Sequence, residues 1–303
     1  MPIDLRSDTV TRPTPEMLAA MASAEVGDDV FGDDPTVIRL EKLAASLLDK
    51  EASMFVPSGT QSNLCALLTH CQRGDEYLVG QSAHAYLFEG GGGAVFGGIQ
   101  PQPIDQEEDG TLDLEKLASL VKPDDFHYAR TRLLCLENTT WGKVLPMEYL
   151  AKARQFADEH GLALHLDGAR IFNAAIALGK PAADIAKPFD SVSLCLSKGL
   201  GAPVGSVLVG SADFIKQAKR WRKMLGGGMR QSGLLAAAGI HALENHVERL
   251  AEDHQNASLL AEGLAALEHI QVDPVQTNIV FATIDDAKLP ALLDHLKRQN
   301  ILA

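Results

Sequence analysis

Apolar runs of strand length recur through this chain, and amphipathic helical stretches separate them. Ala52–Pro57, Glu76–Gly80, Arg132–Glu137, Leu162–Asp167 and Ser191–Leu196 are each short and apolar enough for a buried strand. Thr60–Cys71, Asp113–Val121 and Pro146–His160 carry helical spacing, and Pro146 suits a first helical turn. Strands separated by helices pair in parallel through crossovers, and the crossovers cover both faces of the sheet. The expected fold class is therefore α/β with a mostly parallel sheet.

The pattern changes after about residue 240. A long polar helical stretch, Glu244–Leu267, leads to a strand-like Asn278–Thr283 and a helix over Leu289–Gln299. This predicts a large domain over residues 1–245 and a smaller α+β domain over residues 246–303, with the N-terminal segment packing on the smaller one. The run Gly90–Gly93 reads as a turn or helix junction, because apolar residues flank it. A strand begins at Ile301 just before the last residue, Ala303, and a lone terminal strand would lack a partner. The smaller domain is therefore expected to be incomplete.

The formal net charge of −13 argues against nucleic acid or anionic membrane as partners. No apolar run is long enough to span a bilayer, and the first residues lack the order of a secretion signal. Cys65, Cys71, Cys135 and Cys195 include no Cys-x-x-Cys spacing, so reduced, mostly buried thiols and a cytoplasmic location are expected.

Three motifs close predicted strands. Ser58-Gly59-Thr60-Gln61-Ser62-Asn63 puts small residues and hydroxyls at a helix N-terminus, where free N–H groups can hold an anion. An ordinary N-cap by Ser58 or Thr60 accounts for it equally well. His165-Leu166-Asp167-Gly168-Ala169-Arg170 places His165 and Asp167 on one strand face. A buried carboxylate there needs a cation, which a protonated pyridine nitrogen, Arg170 or a metal could supply. No third ligand completes a metal set, and none is assigned. Ser197-Lys198-Gly199-Leu200-Gly201 ends a buried-looking strand on a lysine, where partial desolvation would lower the amine pKa as Schiff-base formation requires.

An anion turn, then an aspartate, then a lysine, in that order, resembles the fold-type I pyridoxal phosphate (PLP) enzymes. The N-terminal Asp4-Leu5-Arg6-Ser7-Asp8-Thr9-Val10-Thr11 and Gly27-Asp28-Asp29-Val30-Phe31-Gly32-Asp33-Asp34-Pro35 are similar to signatures of the threonine aldolases. So are Ser197-Lys198-Gly199-Leu200-Gly201-Ala202-Pro203 and Gly227-Gly228-Met229-Arg230-Gln231-Ser232-Gly233. The resemblance implies a PLP-dependent transferase-like fold. It implies retro-aldol cleavage of L-threonine, L-allo-threonine and related β-hydroxy-α-amino acids to glycine and an aldehyde.

Residue roles follow from the same resemblance. Lys198 would carry PLP as a Schiff base, Asp167 would face the pyridine nitrogen, Gly59 and Thr60 would hold the phosphate, and His84 would stack on the ring. Arg170 would clamp the substrate carboxylate with help from Ser7. The proton on the β-hydroxyl would go to His84, His127 or a water. Lys223 and Arg230 would reach the site across a subunit interface, which implies a homo-oligomer of at least a dimer, with a homotetramer as the family's assembly. Taken alone, Trp221-Arg222-Lys223 reads as an exposed basic helix. A further C-terminal segment of the family carries another carboxylate-binding arginine, so a chain ending at Ala303 is expected to bind PLP with poor turnover. A PLP β-eliminating lyase, an amino-acid racemase, a PLP-binding protein without catalysis and a structural α/β domain are the competing readings.

Overall fold

A computed structural model describes residues 2–303. The chain opens with β1 (Ile3–Asp4) and two helices, α1 (Pro15–Ala22) and α2 (Pro35–Leu47). Thr14 and Asp34 cap these helices by accepting from backbone N–H groups, and a proline occupies the first turn of each. Then come β2 (Ala52–Val56), α3 (Gly59–His70), β3 (Asp75–Gly80), α4 (His84–Leu87), α5 (Gly92–Gly97), β4 (Gln100–Ile104) and α6 (Leu114–Leu120). The middle of the chain forms β5 (Arg130–Glu137), α7 (Met147–Glu159), β6 (Ala163–Asp167), α8 (Ile171–Leu178), α9 (Ala182–Ala186), β7 (Ser191–Cys195), β8 (Ser206–Gly210), α10 (Ala212–Met224) and α11 (Gly233–Asn245). The last part forms α12 (Leu250–Ala265), β9 (Ile270–Val272), β10 (Ala282–Ile284), α13 (Leu289–Arg298) and β11 (Ile301–Leu302).

The central sheet has seven strands in the order β2-β8-β7-β6-β5-β3-β4. Only β8 runs against the others, pairing antiparallel with β2 and β7. The mostly parallel α/β architecture expected from the alternating pattern is therefore present. Leu78, Leu134, Leu166, Val192, Leu194 and Val207 from the sheet join Leu40, Leu117, Leu150 and Ile185 from the helices in the largest apolar cluster. Burying them removes apolar surface from water on both faces.

Two strands were not legible as apolar runs. In β4 glutamine and proline alternate over the first four residues, which an edge strand tolerates because one side of its backbone needs no partner. β8 follows a glycine turn, and Gly205 has φ +107°, a conformation that disfavours other residues. The single helix expected over Glu244–Leu267 is two: α11 ends at Asn245 and α12 begins at Leu250. The strand expected over Asn278–Thr283 is confined to Ala282–Ile284, because residues 276–279 dock on other parts of the chain instead of pairing.

The terminal strand has a partner after all. Ile301 and Leu302 pair in parallel with Ile3 and Asp4, and Leu5 N–H donates to the Leu302 carbonyl at 2.7 Å. No helix among the described residues is long and apolar enough to cross a membrane. The four cysteines are buried and free, and burial pushes the Cys65 and Cys71 thiols up to about 12.

Candidate active site

The parallel strands bring their C-terminal ends to one edge, which is where ligands bind in open α/β sheets. β5 ends on Glu137 and β6 on Asp167, and the two residues are direct register partners. Lys198 follows the end of β7, and Ser58-Gly59 joins β2 to α3 at the same edge.

Asp167 is buried. Its Oδ2 accepts from Asn63 Nδ2 at 2.7 Å and its Oδ1 from the Ala169 N–H at 3.1 Å. The same Asn63 Nδ2 donates to Glu89 Oε1 at 2.9 Å, and His84 Nδ1 lies 2.9 Å from that oxygen. The His84 backbone N–H donates to Glu137 Oε2 at 2.8 Å. Burial, added to the Asp167 charge, pushes Glu137 up to about 7 and also raises Glu89. The hydrogen bond to Glu89 raises His84 in turn. Ligand atoms of His84, Glu89 and Asp167 lie within 4.8 Å of one another. His165, the metal-ligand alternative from the sequence, is elsewhere engaged: its ring bonds Ser191 at 2.8 Å and Asn63 at 3.2 Å. Burial lowers it to about 3, so it is neutral.

Arg170 gives one edge of its fork to Asp8, Nε at 2.8 Å and Nη2 at 2.7 Å, and Asn278 Nδ2 donates to the same carboxylate at 3.0 Å. Burial raises Asp8, but the Arg170 bonds and charge outweigh it and hold the carboxyl below its usual range. Nη1 of Arg170 makes no hydrogen bond among the described residues. Arg170, Ala169, Cys195 and Lys198 line one small cavity. The Lys198 amine makes no hydrogen bond or ion pair among the described residues, while its carbonyl accepts from Thr11 Oγ1 at 2.7 Å.

Ser58 does cap α3, accepting from the Gln61 N–H at 3.2 Å. The cap leaves the first N–H groups of α3, those of Gly59 and Thr60, without intrahelical partners. A Cβ on Gly59 would sit 2.8 Å from Cys195 Sγ, so only glycine brings this backbone so close to β7.

The beta-eliminating lyase family matches residues 4–287. Over 302 residues the chain is 60% identical to the low specificity L-threonine aldolase of Escherichia coli strain K12, covering 99% of this chain and 90% of that protein. This chain belongs to the low-specificity L-threonine aldolase family. The enzyme of that name from Saccharomyces cerevisiae is 42% identical over 290 residues, covering 94% of this chain and 75% of that one. A Leishmania major threonine aldolase structure superposes with a TM-score of 0.85 at 25% identity, covering 97% and 88% of the two chains. As a member of this aldolase family the chain is a lyase, and its fold is that of the family's solved structures.

Against that membership the expected site residues fall into two groups. Lys198, Asp167, Arg170, His84, Gly59 and Thr60 stand at the C-terminal edge of the sheet, and Ser7 lies beside Asp8, its Oγ accepting from the Thr9 N–H at 3.2 Å. Among the described residues, His127, Lys223 and Arg230 make no hydrogen bond or ion pair with that group. His127 is exposed, paired with Asp125 at 2.7 Å and packed on the ring of Phe126. Arg230 pairs with Asp28 at 2.8 Å. Arg222 departs from the exposed helix expected for its segment: it is buried, donating to the Phe55 carbonyl at 2.8 Å and pairing with Asp29 at 3.0 Å.

Sequence reasoning missed Asn63, Glu89, Glu137 and Asp8 as parts of the site. Asn63 and Asp8 lay inside quoted motifs. The glutamates have no local signal, since only strand pairing and the α4 turn bring them to Asp167.

Proposed function

We propose that this aldolase binds pyridoxal phosphate at the C-terminal edge of its sheet and cleaves the Cα–Cβ bond of L-threonine, L-allo-threonine and related β-hydroxy-α-amino acids. The products are glycine and an aldehyde. The observation that carries the reading is the charge of the site. Asp167, Glu89 and Glu137 crowd together in a buried place where, among the described residues, the His84 ring bonded to Glu89 is the one side-chain cation hydrogen-bonded to any of them. A protonated pyridine nitrogen against Asp167 supplies the missing charge. The uncommitted Lys198 amine and the free N–H groups at Gly59 and Thr60 suit the aldehyde and phosphate of the same molecule.

When bound, pyridoxal phosphate supplies the electron sink for the pair released from the breaking bond. Asp167 would face and charge the ring nitrogen, and Lys198 would hold the cofactor through its aldehyde. Arg170, braced on one edge by Asp8, receives the substrate carboxylate through its open end. That fixes which Cα bond stands across the ring. His84 would stack on the ring, and with Nδ1 facing Glu89 at 2.9 Å its Nε2 would be the nitrogen to take the β-hydroxyl proton. His127 and a bound water are the other acceptors in reach of the reading. Lys223 and Arg230 serve a neighbouring subunit's site in a homo-oligomer, and Ser7 supports the carboxylate end. Residues 1–245 form the cofactor domain and residues 246–303 the smaller one.

Acetaldehyde release from L-threonine with added PLP tests this directly. Lys198→Ala should abolish both release and the lysine-linked visible absorption band. Equal release by the variant would refute the assignment.

A further inference from the structure

The carboxylate assigned to the cofactor nitrogen is not held by its own strand alone. It stands at the end of a chain of hydrogen bonds that crosses the core. Asn63 is buried in the first turns of α3. Its amide nitrogen donates to both Asp167 and Glu89. Carboxylates accept, so the orientation of the amide is forced: nitrogen toward the acids, oxygen toward His165. The Asn63 oxygen must then accept from His165 Nε2, at 3.2 Å, which makes Nε2 the protonated nitrogen. His165 Nδ1 in turn accepts the Ser191 hydroxyl at 2.8 Å, across the register pair of β6 and β7. The Ser191 oxygen is left to accept from His70 Nε2 at 2.7 Å. Every donor in this series points toward Asp167.

Such a chain needs a neutral His165, because its Nδ1 must accept while its Nε2 donates. Burial lowers His165 to about 3 and His70 to about 4, so each carries a single ring proton. His70 is further fixed by stacking on Phe214 at 4.6 Å. Reversing any one member would leave two acceptors or two donors face to face in the core.

We propose that Asn63, oriented by His165, is a positioning residue for the cofactor: its amide holds the Asp167 carboxylate aimed at the ring nitrogen while keeping Glu89 against His84. This rests on the reading that Asp167 faces that nitrogen. Without the amide, two buried carboxylates confront each other with no donor between them, and Asp167 loses the bond that aims it. A displaced Asp167 no longer meets the pyridine nitrogen in the geometry that keeps it charged.

The test uses the whole chain loaded with PLP labelled at its ring nitrogen. Nitrogen NMR then reads whether that atom carries a proton, and titration of the apoprotein gives the PLP dissociation constant. Asn63→Ala should move the signal toward unprotonated pyridine and weaken PLP binding roughly 10–100-fold. His165→Leu should move the signal the same way, and His165→Gln, which keeps an N–H near the Nε2 position, should restore it. The two His165 variants decide the matter if Asn63→Ala does not fold, since a packing defect would not be rescued by the donor. A protonated wild-type signal with both Asn63→Ala and His165→Leu unchanged overturns the proposal. A wild-type chain that binds no PLP, or binds it with an unprotonated nitrogen, overturns the cofactor reading beneath it as well.

Discussion

Asp8→Ala removes the carboxylate that occupies one edge of the Arg170 fork. The pair is short, at 2.8 and 2.7 Å, and its side chains are 7% and 17% exposed for Asp8 and Arg170. Deleting one partner of a fully buried pair costs about 3–5 kcal/mol. The partial exposure of Arg170 lets water take up some of the released guanidinium, so about 2–3 kcal/mol is expected here. The released fork also loses the orientation that would point Nη1 at the substrate carboxylate under the proposed reading. KM for L-threonine should therefore rise about 10-fold with kcat less affected, because the loss falls on an interaction made with bound substrate. Urea unfolding and steady-state kinetics on the PLP-loaded enzyme measure the two effects separately. Acidification gives a further check. Asp8 is held below its ordinary value of 3.8, so its contribution is present above that pH and lost as pH falls through the lower folded value. Wild type should show that acid loss and the variant should not. An unchanged urea midpoint together with an unchanged KM would refute the brace. A lowered KM would mean that Asp8 competes with the substrate for Arg170.

Other expectations concern the cofactor pocket. Glu137 is raised from 4.5 to about 7, so the folded state holds its proton more tightly and stability falls as pH rises between those values. Thermal unfolding of the apoprotein should show that slope, and Glu137→Gln should flatten it by an amount on the order of 1–3 kcal/mol. Gly59→Ala would place a Cβ 2.8 Å from Cys195 Sγ. It should lower stability by about 1–3 kcal/mol and weaken PLP binding, seen by thermal unfolding and by titration of the apoprotein.

The frame of this fold was legible because buried parallel strands are continuous apolar runs, and β2, β3, β5, β6 and β7 all have them. β4 was not legible because an edge strand needs no such run, and its prolines read as loop. The C-terminal segment misled for a different reason. Residues 276–279 are tied down by tertiary bonds with no periodicity: Gln276 to the Val144 N–H, Thr277 to the Gly142 carbonyl and Asn278 to Asp8. The terminal strand read as lone because its partner, β1, lies at the opposite end of the sequence.

The site was legible where chemistry sits in one motif and illegible where it is assembled. Lys198, Asp167 and Arg170 stand in short runs at strand ends, and their residue types suggest an amine, an anion and an anion clamp. Glu89 and Glu137 carry no such signal, yet they decide the electrostatics. Arg170 is committed to Asp8 and Arg222 to Asp29, so neither cation is free to balance the acids around Asp167. His84 answers Glu89 through Nδ1. A carboxylate at Asp167 is then supported by neutral donors alone, the Asn63 amide and the Ala169 N–H. Neutral donors orient a charge but do not cancel it. Arg170 and Arg222 are thus engaged by Asp8 and Asp29, away from the three acids at Asp167, Glu89 and Glu137. That is the arrangement a cationic ring requires, and a fully neutralised pocket would bind the same ring without keeping its nitrogen protonated.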